Sequence, residues 1–272
     1  MKGATPEAAA LPAAVTQPDL RARPAWRHDE RWLRFVSLLG FVVLWQVVAG
    51  LLHDASLPPP ALVFSRMLAE IGSAALPWHL GVTLGRVVLS FALALAIGAA
   101  FGVALGHWRR LDLLLDGWLV LGLNIPALVT IILCYVWFGL NDVAAVVAVA
   151  LNKIPTVIVV VREGARAVDR NLMQVARAYR LPRWRVLTRV YLPQLYPWLL
   201  AAARSGLSLI WKIVLVVELL GRSNGVGFQL NVFFQMFDIA GILAYTLAFA
   251  AVVLTIEAAV LRPLERRLNR WR

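Results

Sequence analysis

The chain is 272 residues long, 61% hydrophobic and 15% charged, with a mean hydropathy of +0.74; that balance excludes an ordinary soluble domain and indicates an integral membrane protein. The net charge of +12 does not call for nucleic acid, because the basic residues sit just outside apolar segments, where topology accounts for them. One cysteine, Cys134, lies inside an apolar run, so no disulfide framework or metal cluster is expected and the residue reads as small packing.

Residues 1–34 are rich in Ala, Pro and Arg without an apolar period and are predicted to be a disordered cytoplasmic tail. No apolar core follows the first charge at signal-peptide distance. Phe35–Leu52 is the first spanning candidate, reaching about 27 Å at 1.5 Å per residue. Leu57-Pro58-Pro59-Pro60 stops that helix, and 61–75 suits a short helix on the outer surface. Val82–Trp108 is the second span. Its Gly98, Gly102 and Gly106 share one face, which either admits a close neighbour or is tolerated without one. Arg86, near the outer end, is expected to snorkel to the headgroups.

Leu113–Leu140 is the third span, interrupted by Asn124-Ile125-Pro126. A mid-span proline frees carbonyls where protein or a water path replaces lipid, so the break is either a pathway feature or a plain kink. Val143–Val161 is the fourth span and holds Lys153 and Pro155. After a polar loop, Trp198–Leu220 carries Arg204, Lys212 and Glu218, each of which must face the bundle interior or snorkel. Gly221–Gly227 is a turn, either an outer gate or an ordinary connection, and Phe228–Phe237 a short outer or re-entrant helix. Ile239–Leu261 is the last span, with Glu257 near its inner boundary. Segments assigned inside hold about 21 Lys and Arg and those assigned outside about 2, which predicts both termini and the 162–197 loop to be cytoplasmic.

That loop is too regular to be slack. Leu172, Val175, Ala176 and Tyr179 fall at helical spacing before Leu181-Pro182 ends the run. Trp184, Leu187, Val190 and Tyr191 follow before Leu192-Pro193, which is expected to break the chain again. Gln174-Val175-Ala176, Arg180 six positions after Gln174, and Val190-x-Leu192-Pro193 resemble the EAA loop of bacterial ABC importer permeases. That pattern has Glu where this chain has Gln174 and glycine where it has Arg180. The later Leu192-Pro193-x-x-x-Pro197, Arg204, Trp211, Glu218 and Ser223-x-Gly225-Val226-Gly227-Phe228, with Trp137-Phe138-Gly139, look like the nitrate/sulfonate/taurine class. The likeness covers about residues 57–262.

The resemblance implies an all-α polytopic bundle of six transmembrane helices with the type I ABC importer permease fold. Its parts would be 1–34, a first helix and periplasmic segment at 35–79, a permease core at 80–262 with coupling loop 162–197, and a cytoplasmic tail at 263–272. It also implies a multi-pass protein of the bacterial inner membrane that pairs with a second permease copy, as a homodimer. Two copies of a cytoplasmic ATPase subunit and a periplasmic solute-binding protein would complete the assembly, in contact with membrane lipid and no nucleic acid. The coupling residues would be Gln174, Val175, Ala176, Tyr179, Arg180, Leu192 and Pro193, with Arg177, Arg180, Arg183 and Arg185 placed to meet acidic residues of the ATPase.

No phosphate loop, nucleophile–base pair or metal cluster is present in the sequence, so no catalytic residue and no cofactor is expected and ATP hydrolysis is assigned to the partner. Asn124, Lys153, Lys212 and Glu218 are the candidates for the solute pathway. The two lysines either attract an anion such as a sulfonate or are satisfied by Glu218 and by carbonyls freed at Pro126 and Pro155. Sulfonate, taurine, nitrate and vitamin precursors such as pyrimidines all stay open as cargo. An ATP-independent channel or secondary transporter is the alternative, and it would need an inverted repeat that the sequence does not display.

Overall fold

The structure, a computed structural model, describes residues 27–52, 54, 56–261 and 263. The chain forms two units, residues 1–51 and 52–272. In the first, helix α1 (Arg27–Leu52) carries the apolar window Phe35–Leu52, with large side chains such as Leu38 and Leu51 exposed. Residues 27–34 are thus helical where an irregular tail is predicted; the rest of that tail, and the carboxyl-terminal one apart from residue 263, lie outside the described residues.

All the regular elements among the described residues of the second unit are helices. Its elements are α2 (Pro60–Gly72), α3 (Ala75–His107), α4 (Arg109–Asn124), α5 (Ala127–Phe138), α6 (Asp142–Arg166), α7 (Arg170–Ala178), α8 (Arg183–Val186), α9 (Leu192–Gly221), α10 (Val226–Gln235) and α11 (Ile239–Ile256). α1 ends at Leu52, ahead of the prolines, which instead open the next helix: Pro59 is the N-cap of α2 and Pro60 its first residue, where no N–H is needed.

Three helices set the frame. α3 and α6 run parallel, and the glycine stripe is where they touch. A Cβ added at Gly98 would lie 2.6 Å from Val157 Cβ, one at Gly102 2.7 Å from Val161 Cβ, and one at Gly106 2.5 Å from Ala165 Cβ. Such spacing is reachable only without a side chain. α9 returns antiparallel to α6. Gly164 packs against Trp198 at one end, Gly206 against Lys153 midway, and Asp142 pairs with Arg222 at the other. The 164/198 end, which carries α7 and α8, is called the loop end below, and the 142/222 end the far end.

Two predicted breaks come out differently. The third span is not one kinked helix: α4 and α5 meet at 98° across Ile125-Pro126. α5 alone rises about 18 Å, too short to cross a bilayer, so the pair is either one broken span or a re-entrant loop. The bend sits beside the other mid-span proline, since a Cβ on Gly122 would be 3.1 Å from Pro155 Cγ. At Leu192-Pro193 the helix does not break at all. α8 continues through a π-helical turn, Leu187–Tyr191, into α9 as one apolar stretch of 39 residues. In that turn Leu192 N–H bonds five residues back to Leu187 O, and the widened ring leaves room for Pro193, which has no N–H to satisfy.

Candidate functional site

The first candidate region is the α7–α8 hairpin at the loop end. Asp169 caps α7 by accepting from Asn171 N at 2.7 Å, and its own N–H donates to Gln194 Oε1 at 2.8 Å, which ties the loop to α9. The helix closes with paired bonds, Leu181 N to Ala176 O at 3.1 Å and Arg180 N to Arg177 O at 2.9 Å. This is a Schellman motif, and its C′ position, the one that wants a left-handed residue, is Arg180 with φ +49°. The missing glycine therefore does not abolish the turn; arginine occupies the same conformation at a cost of about 1 kcal/mol. Pro182 then starts α8 as its N-cap.

The hairpin sorts its predicted residues onto different sides. Leu172, Val175 and Tyr179 are half or more exposed, whereas Ala176 is 2% exposed and sits inside the hairpin. Gln174 faces a cavity on the bundle side, together with Arg170, Met173 and Arg177. Leu192 is exposed, and Pro193 belongs to the first turn of α9. The apolar stripe open to a partner is thus Leu172–Val175–Tyr179, at i, i+3, i+7.

At the far end lies an ion cluster that the sequence did not assemble. Arg86 is 5% exposed and does not snorkel. Its Nη1 donates to Glu218 Oε1 at 2.6 Å and to Asn224 O at 2.9 Å, and its Nη2 to Asp142 Oδ1 at 2.6 Å and to Asn224 Oδ1. Glu218 is fully buried, and its Oε2 accepts from Thr83 Oγ1 and from Gly227 N, each at 2.9 Å. Thr83 Oγ1 in turn accepts from Val226 N at 2.8 Å, and His79 Nδ1 from Gly225 N at 3.0 Å. Arg222 completes the set, 3.1 Å from Asp142 and bonded to Leu140 O at 2.6 Å. The 221–227 turn is thereby pinned to α3 and α6. Gly225 holds φ +105°, and a Cβ there would run into the Glu218 carboxylate, so only glycine fits. A charge at the outer end of each of three predicted spans was the signal available in the sequence for this cluster.

Of the four pathway candidates, no two are joined by a hydrogen bond or ion pair among the described residues. Glu218 is committed to Arg86 as above. Asn124 ends α4, exposed, with its Nδ2 donating to Val120 O at 2.8 Å. Lys153 is 2% exposed, and its Nζ has no hydrogen-bond partner among the described residues. It lies 11 residues from both Asp142 and Gly164, hence about midway along α6, and its Cε would be 3.3 Å from a Cβ on Gly206. Lys212 is exposed on α9. It lines a cavity of about 880 Å³ with Arg204, Ser205, Ser208 and Trp211, faced from the α11 side by Phe249 and Glu257. Cys134 is buried packing, as expected.

A second charged cluster closes the loop end. Asp112, 8% exposed on α4, accepts from Arg162 at 2.9 Å and from Arg166; Asp116 accepts from Arg162 at 2.7 Å, and Glu163 from Arg166 at 3.1 Å. It fastens the tilted α4 to the end of α6.

The family described as binding-protein-dependent transport system inner membrane component matches residues 92–269. A putative aliphatic sulfonates transport permease of Bacillus subtilis is 30% identical over 256 residues, 93% of this chain and 92% of that one. The taurine transport permease of Escherichia coli is 27% identical, covering 86% and 88%, and a bicarbonate transport permease of Synechococcus elongatus 25%, covering 90% and 91%. Among solved structures, an amino acid ABC transporter aligns with a TM-score of 0.60 at 20% identity, over 74% of this chain and 98% of that one. The inward-facing MetNI methionine transporter aligns with 0.60 at 18%, over 69% and 93%; both show the fold.

Proposed function

Since the chain belongs to the inner-membrane components of binding-protein-dependent transport systems, we propose that it is the membrane-spanning subunit through which an ATP-driven importer moves a small oxyanion. Sulfonate, taurine and bicarbonate are the cargo class, in keeping with the names of the relatives, and nitrate joins them by the resemblance of the loop. The observation that carries the reading is the hairpin with its exposed Leu172–Val175–Tyr179 stripe, rooted in α6 on one side and continuous with α9 on the other.

A helical stripe of this kind inserts into a partner's groove, here that of a cytoplasmic ATPase present in two copies, where ATP is hydrolysed. Because α8, the π turn and α9 are one rod, a push on the hairpin reaches Gly206 and Lys153 without a loop to absorb it. The asymmetry of arginine along the sequence supports a cytoplasmic location for the hairpin and for both termini. A periplasmic binding protein delivers solute at the far end. The exposed face of α9 bearing Arg204 and Lys212 is too polar for lipid and is covered by a second copy of the chain, with the solute path along it. Asn124 and Lys153 are further candidates for a solute contact; Lys153, a buried amine with no hydrogen-bond partner among the described residues, packs on Gly206 across α9 from that face and is the candidate anion selector. Glu218 acts there only indirectly, by holding the 221–227 turn.

The test is co-purification with a cytoplasmic ATPase subunit of this transporter class, and uptake of labelled taurine or ethanesulfonate into vesicles holding both subunits and a binding protein. Accumulation by the permease alone, with no ATPase retained, would refute the reading.

A further inference from the structure

At the loop end, between the helix bundle and the coupling hairpin, lies a cavity of about 370 Å³ whose polar lining is one-sided. His107 closes it from the end of α3, Arg166 from the end of α6, Arg170, Gln174 and Arg177 from one face of α7, and Tyr191 from the π turn. No Asp or Glu among the described residues lines it. Arg166 is balanced on its other side by Asp112 and Glu163, but Arg170 and Arg177, seven apart and so on one face, have no ion pair among the described residues. The sequence sharpens the imbalance: position 174, which carries a carboxylate in the pattern the loop resembles, holds an amide here. A cationic recess with five N–H donors per guanidinium and no carboxylate of its own among the described residues is built for a multidentate oxyanion. On the topology proposed above it lies at a membrane boundary, where basic pockets between helices meet phospholipid head groups.

We propose that this cavity is a binding site for a phosphate-class oxyanion, supplied by the head group of an anionic phospholipid or by free phosphate, which braces the hairpin against the bundle. The site is separate from the solute path, and its test needs no transported solute.

Full-length protein is placed in nanodiscs of phosphatidylcholine, or of phosphatidylcholine with phosphatidylglycerol. Lipid retained after transfer to detergent is counted by native mass spectrometry. The wild type is expected to enrich phosphatidylglycerol, and Arg170→Gln/Arg177→Gln to lose about tenfold or more of that enrichment. Gln174→Glu, which brings its own carboxylate, is expected to lose it too while melting no lower than wild type. Arg183→Gln/Arg185→Gln, basic residues of the same loop outside the cavity, should keep it. If phosphatidylglycerol is not enriched but inorganic phosphate raises the melting temperature of the wild type and not of Arg170→Gln/Arg177→Gln, the oxyanion is the soluble one. The proposal is overturned by neither effect appearing, or by an equal loss in the 183/185 variant, which would mean general surface attraction. It is equally overturned if the enrichment vanishes whenever the ATPase is bound, since the cavity would then belong to an acidic side chain of that partner.

Discussion

Replacing Glu218 by Leu tests whether the far-end cluster holds the structure together or contacts solute. The substitution removes a carboxylate that is fully buried and accepts three hydrogen bonds, from Arg86 at 2.6 Å and from Thr83 and Gly227 N at 2.9 Å. Breaking a buried ion pair on one side costs about 3–5 kcal/mol, and orphaning the Gly227 N–H adds about 1–3 kcal/mol. Arg86 keeps Asp142 at 2.6 Å, although that side chain is 60% exposed, so the lower part of the combined range applies, about 4 kcal/mol. For a chain of this size that is a fall in melting temperature on the order of 10 °C, measurable in detergent by the loss of monodisperse protein on heating. Arg86→Met alone should cost a similar amount. The double variant Arg86→Met/Glu218→Leu should recover about 2 kcal/mol of the summed loss, because neither charge is then stranded. Strict additivity of the two, or a single Glu218→Leu variant that melts like wild type with a raised KM for solute, would refute the reasoning and return Glu218 to the solute path.

Four further outcomes follow from the geometry. Arg180→Gly relieves a left-handed arginine at the Schellman position and is expected to stabilise by about 1 kcal/mol without loss of ATPase binding; lower stability would remove the strain argument. Leu172→Ser/Val175→Ser/Tyr179→Ser should release the ATPase in a pull-down while melting within about 1 kcal/mol of wild type, since all three are exposed. Ala176→Asp should abolish transport by a different route, because a carboxylate forced into a site 2% exposed unfolds the hairpin; raised proteolysis at 177–182 would show it, and its absence would put Ala176 back on the docking face. Lys153→Met should raise stability by about 1 kcal/mol or more, as the amine is buried without a hydrogen-bond partner among the described residues, while uptake of a sulfonate falls at least tenfold; unchanged uptake would end its role as anion selector.

The membrane class, five of the apolar spanning helices and the amphipathic loop could all be read in the sequence, because each rests on local quantities: runs of apolar residues and the 3.6-residue period. The Schellman position could also be read there, since Arg180 stands one residue before Leu181-Pro182, but whether arginine would accept it could not. What only the tertiary structure decided is which side chain meets which. Arg86, Asp142, Glu218 and Arg222 come from three helices far apart in the chain, and a charge inside an apolar run reads the same whether its partner is another charge, a headgroup or nothing. The sequence could not show that Arg86 holds Glu218, nor that the Lys153 amine has no hydrogen-bond partner among the described residues. The glycine stripe was equally ambiguous, because small residues show only that approach is allowed; the contact with Val157, Val161 and Ala165 shows that it is used. Pairing across helices depends on register and depth, and neither is encoded within a single helix.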